Sequence, residues 1–112
     1  MNPEALVRPE LDTGVEHGVL LLAFAEAIIG TERKALDDVR AELADALGPM
    51  AISGLSAVAG NFSKNDRVAN GIGIPVDDMV LKGTADLREQ LGLNDYKSAE
   101  NTFRHMTDQK VL

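Results

Sequence analysis

The longest apolar run of the chain, Gly18-Val19-Leu20-Leu21-Leu22-Ala23-Phe24-Ala25, continues through Glu26 to Ile29 with hardly a polar break. A run that is apolar on nearly every side predicts a helix covered all round, the central and most buried element of its fold. Just before it, Thr13-Gly14-Val15-Glu16 has the Thr-x-x-Glu spacing of a capping box, which places the helix start at Thr13 and its end near Gly30. A second helix is predicted from about Thr31 to Leu47, with Ala35, Val39, Leu43 and Leu47 as the buried stripe and charged residues elsewhere. Gly48 ends it, and Pro49 fits the first turn of a third helix.

The third helix carries Leu55, Val58, Phe62, Ala69 and Ile72 at helical spacing, down to a break at Gly71-Ile72-Gly73-Ile74-Pro75. Asp77 or Asp78 caps a fourth, in which Val80, Thr84, Leu87 and Leu91 share a face and Gly92-Leu93 has the order of a Schellman stop. The tail from Tyr96 holds a short helix around Ala99 to Met106, and the first dozen residues, with Pro3 and Pro9, read as an extended arm. No stretch reads as a strand. The expected fold is a single all-α domain, a helical bundle of four to five helices: residues 1–12 as the arm, 13–93 as the helical core and 94–112 as the C-terminal tail.

Composition fits one domain with one hydrophobic core: 112 residues, 45% of them hydrophobic and 26% charged. Eighteen Asp and Glu against eleven Lys and Arg give a net charge of -7, which repels nucleic acid and anionic membrane surfaces alike. The apolar run is shorter than the about 20 residues a membrane span needs. Acidic residues and two prolines precede it instead of a basic signal segment, so a cytoplasmic location is expected.

The chain has no cysteine, which removes thiolate nucleophiles, thiol redox couples and sulfur ligands. His17 and His105 stand far apart and outside any two-ligand helical spacing, so neither a metal nor a cofactor is expected. Asn70-Gly71-Ile72-Gly73-Ile74-Pro75 has the look of a phosphate loop, but it follows a helix, and Val76 stands where a third glycine belongs. It therefore reads as a helix-ending turn. Glu26, set in the most apolar helix, is expected to need a partner such as Arg67 or Arg40, or else to have a raised pKa. Lys64-Asn65-Asp66-Arg67 makes one end of the third helix either wet or the wall of a pocket or interface. The small residues Ser53, Gly54, Ser56, Ala57, Ala59 and Gly60 read as a close helix-packing surface.

Taken together, "LLLAFAEAIIG" and "VRAELADALGPMAISGLSAVAGNFSKNDRVANGIGIPVDD" resemble the later helices of the alkylhydroperoxidase D-like, or carboxymuconolactone decarboxylase-like, all-helical family, over roughly residues 15 to 101. Phe62, Arg67, Gly73, Ile74, Pro75 and Asp77 fall in the order of its peroxidase-related members. The resemblance implies a related helical fold. The family's Cys-x-x-Cys pair and its His and Glu proton relay have no counterpart here, and Ser63 stands where the pattern often has Asn, so no catalytic residue carries over.

The expected function is accordingly that of a non-redox homo-oligomer, dimer or higher, serving as a binding or structural module without nucleic acid or membrane partners. Its small-molecule ligand is left open. The alternative is a cysteine-independent acid–base enzyme of the decarboxylase type, with Glu26, Arg67 and His17 as its candidate catalytic residues.

Overall fold

The computed structural model describes the backbone of residues 1–109 and the side chains of residues 1–106, and all of its regular structure is helical. The chain divides into two compact units, Met1–Ser63 and Lys64–Leu112.

In the first unit the N-terminal segment folds back instead of extending. Asn2 accepts from the Glu4 amide at 3.2 Å and starts a 3₁₀ turn, Pro3–Leu6, while its own N–H donates to the Thr13 carbonyl at 2.8 Å. Ala5 is thereby buried. A tie between residues so far apart leaves no periodic trace in the sequence, which is why the segment reads as an arm.

Helix α1 runs Gly18–Ile29, not from Thr13. The Thr13 hydroxyl accepts from the Val15 amide at 3.0 Å within its own turn, so the capping box does not form. Thr13 is used for packing: it is buried, and a Cβ at Gly18 would collide with its side chain. His17 takes the N-cap position at φ +56, a left-handed conformation that His tolerates better than most residues.

Helix α2 spans Arg33–Leu47 and packs against α1. The core is narrower than the sequence suggests. Of α1 only Gly18 and Phe24 are buried, with Leu20, Leu21, Ala27 and Ile28 half-buried, while Val19, Glu26 and Ile29 are exposed. The expectation of a helix covered all round is corrected: α1 is apolar throughout but has one packed side. On α2 the buried centre is Leu43, with Leu36 and Val39 half-buried; Ala35 and Leu47 are exposed. A strict i+4 series drifts about 40° per step around the helix, so its two ends leave the packed face. The wet side of α2 carries ion pairs of Arg33 (3.1 Å) and Arg40 (2.9 Å) with Asp37, and of Lys34 with Asp38 (2.6 Å).

Gly48 ends α2 at φ +87 and Pro49 opens α3, Pro49–Ile72, as the sequence predicts. No residue of this helix is buried. Ile52, Leu55, Ser56 and Ala59 are half-buried; Ser53, Gly54, Ala57 and Gly60 are exposed, and a Cβ at Gly54 or Gly60 would meet open space. Within the chain the small-residue run is therefore not a packed contact.

The second unit begins in the last turns of α3. Gly73, at φ +78, donates to the Asn70 carbonyl at 3.2 Å and Ile74 donates to that of Ala69 at 3.1 Å, which is the paired bonding of a Schellman stop. Asp77 caps α4, Asp78–Gly83, by accepting from the Met79 amide at 2.9 Å. The predicted fourth helix is in fact two. The Thr84 hydroxyl takes the Val80 carbonyl at 2.8 Å beside the side-chain-free Gly83, and α5, Ala85–Gln90, starts afresh.

Gly92 turns the chain at φ +66 into 3₁₀ turns at Leu93–Asp95 and Lys97–Ala99, and α6 follows over Glu100–Gln109, longer than predicted. From α6 the Thr102 hydroxyl accepts from the Val76 amide at 2.9 Å and Asn101 donates to the Asn70 side chain at 2.9 Å, which ties α6 to the turn after α3. Leu81, Leu91 and Thr102 are the buried side chains of this unit among the described residues.

Two glycines on helices should respond oppositely to alanine. Gly18→Ala is expected to destabilise by about 1–3 kcal/mol, because Thr13 must give way. Gly60→Ala is expected to stabilise by about 0.5–1 kcal/mol, since a helical interior position with open space, off the Met50–Phe62 series, gains only propensity. Urea unfolding of both variants checks the pair.

Candidate functional site

Glu26 lies on the exposed side of α1. It is not the buried carboxylate expected from the composition of its helix, and among the described residues its side chain has no hydrogen bond or ion pair. The one-sided burial of α1 accounts for this: position 26 falls a half-turn beyond Phe24, on the side away from the core. Exposure to water removes the need for a partner.

His17 sits at the other end of the same helix, with Nε2 3.7 Å from a Glu16 carboxylate oxygen. The helical rise between positions 17 and 26 is about 13 Å, so imidazole and carboxylate do not form a contacting pair. Arg67 is exposed on α3 within the second unit and engages in an interaction of its own. Its neighbours Lys64, Asn65 and Asp66 are exposed as well, making that stretch of α3 a wet surface.

Charge is distributed unevenly. Residues 1–63 hold ten Asp and Glu against four Lys and Arg, whereas residues 64–112 hold eight against seven. All four cations of the first unit, Arg8, Arg33, Lys34 and Arg40, are ion-paired. Hydrogen bonding to Asp38 raises the Lys34 pKa above its ordinary 10.5, and hydrogen bonding to Glu4 raises that of Arg8. A raised cation pKa means a contribution present at neutral pH and lost only as pH climbs past the raised value. Both pairs lie on the open surface and act on local structure, with no reacting group nearby.

Arg88 is the residue that sequence reading misses. Its Nε donates to the Thr84 hydroxyl at 3.2 Å, Nη1 to the Asn94 side-chain oxygen at 2.6 Å and Nη2 to the Leu81 carbonyl at 2.8 Å. These acceptors stand seven and four residues before it and six after, across the break between α4 and α5, so no single helical period brings them together. Arg88 also lines a hollow of about 290 Å³, together with Asp78, Leu81, Lys82, Ala85 and Met106.

Among the described residues no cluster of His, Asp and Glu has the makings of a metal site, and no helix is long and apolar enough to cross a membrane. No family model, no curated protein and no solved structure matches the chain.

Glu26→Gln is expected to change stability by no more than about 0.5 kcal/mol, as for an ordinary surface position. Urea unfolding measures it; a loss of about 2 kcal/mol or more would show the carboxylate to be held by a partner.

Proposed function

We propose that this chain is a non-redox helical module that acts as a homo-oligomer, at minimum a dimer, assembled through the uncovered side of α3. The observation that carries the reading is the ridge Met50-Gly54-Val58-Phe62 in the first unit. These residues recur every four positions, and all are exposed, Val58 at 58% and Phe62 at 62%. An i+4 ridge is the feature that interdigitates when two helices pack at the commonest crossing angle, and Gly54 leaves it a notch for a facing side chain. The same ridge on a second copy is self-complementary, as a two-fold contact requires.

Energetics favour covering it. Each large apolar side chain removed from water contributes roughly 1.5–3 kcal/mol, and Met50, Val58 and Phe62 would be removed on both copies at once. The cysteine-free sequence supports a role outside thiol chemistry. The helix stop at Gly73 and the Asp77 cap give physical sense to the Gly-Ile-Pro-x-Asp order on which the resemblance to alkylhydroperoxidase D-like proteins rests. We therefore regard the chain as a cysteine-less relative of that kind, with helix packing retained and redox chemistry absent.

Light scattering of the purified protein at micromolar concentration should return at least twice the 12.0 kDa chain mass. Phe62→Glu should return the single-chain mass with its helical circular dichroism intact, because Phe62 is exposed in one chain. A wild-type monomer overturns the proposal, and a Phe62→Glu variant that stays oligomeric overturns the assignment to α3.

A further inference from the structure

The hollow in the second unit combines a fixed cation, a free cation and an apolar wall. Arg88 is immobilised by three acceptors, all neutral: a hydroxyl, an amide oxygen and a backbone carbonyl. Its side chain is held in place while its positive charge is left uncompensated, unlike every cation of the first unit. Two of its N–H groups, one on each terminal nitrogen, remain after those three bonds and are available to an anion.

Lys82 stands on the same wall and makes no ion pair among the described residues. Asp78 supplies one opposing charge, so Lys82, Arg88 and Asp78 together give the wall a formal charge of +1. Leu81, Ala85 and Met106 complete it with apolar surface, Leu81 being part of the unit's core. The volume of about 290 Å³ is at the lower end for ligand pockets and suits a compact molecule.

We infer that this hollow binds a small organic monocarboxylate, with Arg88 and Lys82 taking the anion and Leu81, Ala85 and Met106 receiving its apolar part. The placement suits an anion in this acidic chain. The excess negative charge belongs to residues 1–63, and the hollow belongs to the unit whose charges nearly balance. Arg88 has a second duty, bracing the corner between α4 and α5, so replacing it would disturb the fold as well as the ligand. Lys82 has no such duty and is the residue to vary. The inference goes beyond self-association, since the lining residues all lie outside the Met50–Phe62 ridge.

The experiment is a titration of the full chain with sodium benzoate at constant ionic strength, followed by amide chemical shifts, with neutral benzamide as the control. Benzoate should give saturable shifts confined to residues 78–88 and the surroundings of Met106, while benzamide gives none. Lys82→Met should raise the benzoate Kd about fivefold, the scale of one exposed charge contact, with an unchanged thermal midpoint. Absence of saturation, an equal response to benzamide, shifts spread over the paired cations of the first unit, or an unchanged Kd in Lys82→Met would each overturn the inference. None of these outcomes bears on the mass measured by light scattering, so the two proposals stand or fall separately.

Discussion

Burial of Phe24 on α1 and Leu43 on α2 is the constraint around which the first unit is arranged. Leu43 is wholly inaccessible and Phe24 nearly so, and the other fully apolar buried residue of the unit, Ala5, is too small to anchor helices. With two large side chains setting the contact, each helix has one rotation that works. That rotation turns Glu26 and Val19 outward on α1, and Ala35 outward on α2. It also brings the start of α1 against Thr13, where only a glycine fits, and the backbone just before it turns through a left-handed histidine.

The second unit is held differently. Among the described residues its large buried apolar side chains are Leu81 and Leu91, and much of its definition comes from polar groups meeting backbone: Thr102 on the Val76 amide, Arg88 on the Leu81 carbonyl, Asp77 on the Met79 amide. Such bonds contribute only about 1 kcal/mol each but leave little choice of geometry, since the groups they satisfy would otherwise be left without partners. A unit so built is specified by a few named side chains more than by the volume of its core.

How much of this was legible depended on the range of the physics. Helix punctuation acts within a turn or two, and Gly48-Pro49, Gly73 and Asp77 were readable because their chemistry is local. Burial is decided by the neighbour. An all-apolar α1 carries no signal of which side packs, so Glu26 looked enclosed when it is exposed. Thr13 shows the same limit in reverse: its spacing to Glu16 fits a capping box, yet its hydroxyl accepts from the Val15 amide and donates to the Val15 carbonyl, closing its own turn instead of capping a helix. Arg88 was illegible because its acceptors follow no single period. The helical spacing put Val58, Phe62 and Ile72 on one apolar stripe with Leu55, yet all three are exposed and Leu55 is only half-buried, because spacing does not say whether a neighbour covers the stripe.

The glycines of α3 bear on the order in which the chain acquires its shape. Gly54 and Gly60 each make the helix less favourable than alanine would by about 1 kcal/mol, and no buried side chain of the helix offsets this. Helix α1 and helix α2 are joined by a short connection and share a core, so they form a local pair of low contact order that is able to assemble first. Helix α3 has no comparable internal drive. In a single chain its amides would open at low free energy and exchange hydrogen early, well before the global unfolding that frees those around Leu43, so the protection of α3 would come from the second copy packed on it.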